Sequence, residues 1–219
     1  MLHIGEKLRA ARLEQNMSLR ELAEKAEVSA SLLSQIENGK ANPSVRSLYS
    51  IAAAMVLPVD YFFPESGETD LAEGDGTPPV NELTTSQVRS LQGQGLIEDT
   101  NLFAQQALAA KSGPVVCKNA RAMIELMGGV TWERLTPGSE EGVEFMEITY
   151  APGATSGRAM SHHTGREFGL ILAGELMVEL GFERYILYPG DSIAFDSATP
   201  HRMTNEGPQP VRAVWVVLD

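Results

Sequence analysis

Two hydrophobic rhythms divide the chain. Up to about residue 64, apolar side chains return every three or four positions, which is the spacing of one helix face. From about Val115 they alternate with polar ones, as in a strand buried on one side. In the first part, SLRELAEKAEVSASLLSQIENGKANPSVR (residues 18 to 46) predicts two short helices meeting at a tight turn. Ser18 followed by Glu21 is a capping box: the hydroxyl takes an orphan N–H and the carboxylate reaches back, so a helix starts there. Leu22, Ala23 and Ala26 form its buried face. Glu27 and Val28 interrupt the pattern and Ser29 offers a second N-cap. Leu32, Leu33 and Ile36 then return at helical spacing until Asn38-Gly39 ends the helix.

The outer face of this second helix carries Ser31, Ser34 and Gln35. Glu or Lys would serve solubility better on an exposed helix, whereas short polar groups suit hydrogen bonding to base edges in a major groove. The segment, above all LSQIENGK, resembles the helix-turn-helix domain of the XRE, or phage-repressor-like, family of regulators over about residues 3 to 63. That resemblance implies five helices: one near Ile4 to Gln15, the capped pair, a fourth opened by Asn42-Pro43 as cap and first residue, and a fifth after Pro58. By position it implies that Ser29, Ser31 and Gln35 read bases, with Ser34 on the same face. Ser18, Asn38, Lys40 and Ser44 fall where phosphates are contacted. Arg12 and Glu37 match a pair that ties the first helix to the reading helix, a structural role.

The alternating part contains RAMIELM, GVTWERL, VEFMEITY, EFGLILAG, ELMVELG, RYILYP, DSIAF and VRAVWVVL, separated by Gly and Pro. So many short strands predict an antiparallel barrel or sandwich. Trp132, Met177 and Trp215 sit in apolar stretches and are expected in its core.

SHHTGREFG (161 to 169) and PGDSIAFDSATPHRMTN (189 to 205) carry the chemistry of this half. They resemble the two motifs of the cupin family over residues 115 to 219, which implies a small jelly-roll barrel able to hold a divalent metal, a small organic ligand, or neither. By position His163, Glu167 and His201 match metal ligands, and Ser161 stands where a further His is common. In an extended run Ser161, His163 and Glu167 share a face, while His162 points the other way. Two imidazoles and a carboxylate suit Fe(II), and also Zn, Ni or Mn, with open positions for a ligand. The same residues also suit a metal-free polar cluster. Arg158 and Arg166 flank the motif as surface charges.

The resemblances therefore imply a two-domain fold class: an all-α lambda-repressor-like head at 1–64, a linker with a short helix at 65–114, and an all-β cupin barrel at 115–219. Residues 65 to 81 (ESGETDLAEGDGTPPVN) are acidic, rich in Gly and Pro, and aperiodic, as a flexible linker is. Asp99-Thr100 opens the possible short helix through Leu102, Phe103, Gln106 and Leu108.

Charge changes the picture in one respect. The chain carries 17 basic and 29 acidic residues, net −12, yet residues 1 to 64 hold seven of each. Bulk attraction does not bring this protein to nucleic acid, so binding rests on local groups with few phosphates neutralised per head. One small helix reads few base pairs, so a homodimer on a palindromic operator in double-stranded DNA is expected. No apolar run is long enough for a bilayer, which speaks against a membrane partner, and Met1 leads into an amphipathic helix without a signal peptide, so a cytoplasmic location is expected. The one Cys, Cys117, excludes an intrachain disulfide and is expected as a packed strand residue.

Two functions follow. In the first, the chain is a sequence-specific transcriptional regulator whose barrel senses a small effector, a metal, or both, and it is not an enzyme. In the second, it resembles a mononuclear metal epoxidase or dioxygenase with a structural helical domain. An enzyme has no need of LSQIENGK with a polar outer face, which favours the regulator.

Overall fold

Ser18 opens its helix as the capping box requires: its Oγ accepts from the Glu21 N–H at 3.2 Å, and Glu21 Oε2 accepts from the Ser18 N–H at 2.7 Å. The computed structural model describes residues 4–64 and 114–219. The linker expected over 65–114, Pro114 apart, and the short helix expected after Asp99-Thr100 lie outside the described residues.

The head consists of α1 (Ile4–Glu14), α2 (Leu19–Lys25), α3 (Ala30–Glu37) and α4 (Val45–Met55), followed by a 3-10 turn at Val59–Phe62. The Ser29 hydroxyl caps α3 through the Leu32 N–H at 3.0 Å. Asn38 ends it, and Gly39 takes the left-handed conformation (φ 64°) beyond the cap. Two sequence expectations are corrected. The cap of α4 is Ser44, whose hydroxyl accepts from the Ser47 N–H at 3.1 Å, so Asn42-Pro43 precede the helix and do not open it. The fifth helix is a single 3-10 turn, because Phe63 follows in extended backbone, ahead of Pro64, before a second turn can form.

Leu8, Leu22, Leu33, Ile36, Leu48, Ile51, Met55 and Phe62 fill the core of the head. Gly5 lets α1 lie against the end of α3, since a Cβ there would stand 2.0 Å from the Ile36 carbonyl oxygen. Across this contact the Arg12 guanidinium grips Glu37 through two bonds of 2.6 and 2.8 Å and donates to the Met17 carbonyl. A buried bidentate pair with a third donor bonded to backbone fixes the angle of α3 more than it adds stability.

Residues 123 to 218 form two antiparallel sheets. The larger has the order β1-β2-β3-β9-β4-β7 and the smaller β6-β5-β8. The strands are β1 (Met123–Leu126), β2 (Val130–Arg134), β3 (Val143–Tyr150), β4 (Arg166–Ala173), β5 (Leu176–Leu180), β6 (Glu183–Leu187), β7 (Ser192–Asp196), β8 (His201–Thr204) and β9 (Val211–Leu218). The strand order crosses between distant parts of the chain, as in a jelly roll. Inward-facing Trp132, Met146, Ile148, Tyr150, Ile171, Val178, Phe195, Trp215 and Val217 fill it. The sequence pattern did not show β8, because HRMT is short and polar on its outward positions. Cys117 is not a strand residue: it caps the 3-10 turn Lys118–Ala120 ahead of β1.

Candidate functional site

Strand alternation assembles the centre of the barrel. Along β4, Glu167, Gly169 and Ile171 turn inward while Arg166, Phe168 and Leu170 turn outward. Before β4, Ser161 bridges to His201 at the start of β8, which brings the two halves of the site together. His163 Nε2 then lies 3.1 Å from Glu167 Oε1, and His201 Nε2 lies 3.3 Å from the same oxygen. Ser161 Oγ is 3.3 Å from His201 Nε2, and His162 is exposed.

Each side chain of this trio is turned by a second group. His163 Nδ1 bonds the Thr164 carbonyl and His201 Nδ1 the Thr199 carbonyl, both at 2.9 Å. A carbonyl only accepts, so both Nδ1 atoms carry the proton and both Nε2 lone pairs face inward when the rings are neutral. Trp215 Nε1–H donates to Glu167 Oε2 at 2.7 Å, leaving Oε1 turned to the imidazoles. The indole fits because residue 169 is Gly: a Cβ there would stand 2.1 Å from the Trp215 ring. Neither Trp215 nor Gly169 was legible as a site residue, since one read as core and the other as a strand glycine.

The electrostatics follow from this crowding. Burial lowers the His201 pKa, and the neighbouring imidazoles add to that fall. Burial works the same way on His163, but the Glu167 carboxylate more than offsets it and raises its pKa. Burial raises the Glu167 carboxyl, while His163, His201 and the Trp215 hydrogen bond together hold it below the ordinary value.

These residues fit a divalent cation. Their three donor atoms all lie within 4.8 Å of one another, and His163 Nε2 and Glu167 Oε1 are buried without a partner in hydrogen-bonding geometry. A metal held by His163, His201 and Glu167 would act as a Lewis acid with positions open to a ligand.

The head closes the mouth of this site. Tyr49 on α4 stacks flat on the His163 ring, with centroids 4.1 Å apart and planes 6° apart. Its hydroxyl donates to Glu144 Oε2 on β3 at 2.8 Å. Around that plug the Arg134 guanidinium meets Asp60 at 3.1 Å, both side chains buried, the Met127 N–H donates to the Pro43 carbonyl at 2.8 Å, and the Arg46 N–H to the Ser156 carbonyl. Tyr49 and Glu144 carry no sequence signal, because nothing in a helix pattern says which outward residue meets another domain.

On the head, Ser18, Ser29, Ser31, Gln35, Asn38 and Lys40 are exposed, and Ser34 is half-buried. The hydroxyls of Ser18 and Ser29 are engaged as caps, and Asn38 Nδ2 donates to the Ser34 carbonyl at 2.6 Å. Ser44 is buried, and its hydroxyl is spent on the α4 cap and on Ser47. Arg158 and Arg166 are exposed, the latter over the Phe168 ring.

A helical head with an exposed polar face on α3, joined to a jelly roll with an inward triad, defines a two-module chain of helix-turn-helix and barrel. A helix-turn-helix family model matches residues 8–62 and a cupin domain model residues 146–217. The chain is 25% identical to the HTH-type transcriptional regulator PuuR of Escherichia coli (strain K12) over 203 residues, covering 92% of this chain and 86% of that protein. It is 32% identical over 127 residues to the HTH-type transcriptional regulator DdrOP3 of Deinococcus deserti, covering 58% of this chain and 84% of the relative. A crystal structure of an HTH_3 family transcriptional regulator from Vibrio cholerae shares the fold at TM-score 0.58 and 19% identity, over 99% of this chain and 94% of that one. The chain belongs to the helix-turn-helix transcriptional regulators, with an XRE-type head and a cupin barrel. No helix among the described residues is long and apolar enough to cross a membrane.

Proposed function

We propose that this protein is a dimeric, sequence-specific DNA-binding regulator whose barrel senses a small effector, a metal ion, or both, and that it is not an enzyme. The observation that carries the reading is the exposed polar face of α3, held at a fixed angle by Arg12 and Glu37, in one chain with the inward trio His163, Glu167 and His201. Ser31 and Gln35 read base edges, with Ser29 and Ser34 beside them. Ser18, Asn38 and Lys40 set the register on phosphates. Ser44 supports that register by capping α4, its hydroxyl being buried.

Dimerisation is supported by the outer face of the larger sheet. Phe145, Val216 and Phe168 are neighbours in register across β3, β9 and β4, with Leu170 beside Val214 in the next row. Phe145, Phe168, Leu170 and Leu172 are each more than a third exposed. Such a row of large apolar groups marks an interface, and two barrels joined there carry two heads for a palindrome.

The metal-enzyme reading draws on the same trio, but with Tyr49 docked the inner cavity beside Glu167 and His201 has room for about one water molecule. Selecting bound sequences from random DNA, together with metal analysis of the purified protein, tests the choice. A recovered palindrome supports the regulator; metal without any sequence selection supports the enzyme.

A further inference from the structure

Tyr49 does more than pack. Its ring lies on His163, its hydroxyl bonds Glu144, and its edge meets Trp132 with ring centroids 5.9 Å apart. With Val45 it lines the inner cavity beside Trp132, Met146, Ile148, Tyr150 and Trp215, and about 20 Å³ of free space remains. That is room for about one water molecule or a single ion, and not for an organic molecule. The phenol therefore occupies the place that an organic ligand of the His163–Glu167–His201 centre would take.

We propose that Tyr49 is an internal stand-in for the ligand: docking of the head and admission of an organic molecule to the barrel exclude each other. The molecule that displaces Tyr49 shares its chemistry, a planar ring bearing a hydrogen-bond donor, because the vacated site offers a ring face on His163, apolar aromatic walls and an acceptor on Glu144. This inference rests on the reading of the barrel as a sensor and adds the ligand class and the coupling. The docked head keeps Ser29, Ser31, Gln35 and Lys40 exposed, so docking does not hide the reading face. What the ligand changes is freedom: displaced from the barrel, the two heads of a dimer lose their fixed spacing. By reciprocity, whatever strengthens docking weakens ligand binding by the same factor.

The structure offers a lock for testing this. A Cβ built on Gly157 would lie 3.5 Å from the Arg46 Cβ, within the range that a disulfide spans. Full-length Arg46→Cys/Gly157→Cys in a Cys117→Ser background is oxidised to hold the head down, or kept reduced. Binding of p-cresol, the tyrosine side chain as a free molecule, is measured by titration calorimetry beside wild type and Tyr49→Ala. Tyr49→Ala is expected to bind p-cresol at least tenfold more tightly than wild type, and oxidation of the lock to weaken binding at least tenfold, with recovery on reduction. Equal affinity of the oxidised and reduced lock overturns the proposal, and so does a Tyr49→Ala affinity no better than wild type. The lock retains Tyr49, so the test stands even if the alanine variant folds poorly. Operator selection is run on the same proteins: its failure in every form counts against the regulator reading and leaves the p-cresol result to decide on the plug.

Discussion

Trp215 donates its indole N–H to Glu167 at 2.7 Å and so decides which carboxylate oxygen faces His163 and His201. Trp215→Phe keeps the ring and removes the donor, leaving the carboxylate free to rotate. Metal affinity, read by titrating the protein with Co(II) or Zn(II), is expected to fall about 10- to 100-fold, the usual cost of losing a group that orients a ligand. Gly169→Ala is expected to act in the same direction by pushing the indole away. Unchanged affinity in both variants would show that Glu167 does not depend on this support.

Gln35 stands exposed on α3 with its backbone in regular helix, so its replacement leaves the head folded. Gln35→Ala is expected to weaken operator binding by about 1 to 3 kcal/mol and to relax preference at one base position. Lys40→Ala is expected to weaken all sequences alike and to flatten the salt dependence by about one unit of slope. Binding to arrays of operator variants at several salt concentrations separates the two.

The contact between head and barrel is expected to depend on pH through Glu144. Burial pushes its carboxyl from 4.5 up to about 7. Asp219 and Asp60 add to the rise, while the Tyr49 hydrogen bond and the His163 charge oppose it. When the head lifts away the carboxyl is hydrated and returns toward its ordinary value, so the docked form binds a proton that the open form releases. Docking is then fully favoured below about 4.5 and weakens as pH rises through about 7. Small-angle scattering between pH 5.5 and 8 should show expansion with rising pH, and Glu144→Gln should flatten that response. Expansion on acidification would mean that another group governs the contact.

Leu170 lies in the middle of the exposed apolar rows on the larger sheet. Leu170→Glu places a charge there without touching the inward face of β4. It is expected to shift sedimentation from dimer to monomer and to reduce operator affinity by at least tenfold, as each head then binds alone. A dimer that survives this change uses another surface.

The alternation of apolar and polar residues, with its caps and turns, was enough to place most elements, because each depends on neighbours within one turn or one strand. The capping box at Ser18, the N-cap at Ser29 and the inward parity of Ser161, His163 and Glu167 are of that kind. The start of α4 was misread by two residues because both Asn42-Pro43 and Ser44 carry helix-start signals, and only the docked backbone chose between them. Strand β8 was silent because four residues with polar outward positions make no pattern, although His201 at its head was legible from the motif around it.

What the sequence by itself determined is local: a helical reading head, a barrel of alternating strands, and the identities of the inward imidazoles and carboxylate. What only the tertiary structure decided are the long-range choices. Trp215 rather than another donor holds Glu167, 48 positions away, because Gly169 leaves space for it. Tyr49 meets Glu144 across 95 positions because one ring of α4, outside the core of the head, covers the mouth of the barrel. Such contacts are set by the shapes of two surfaces brought together, and no periodicity along the chain records them.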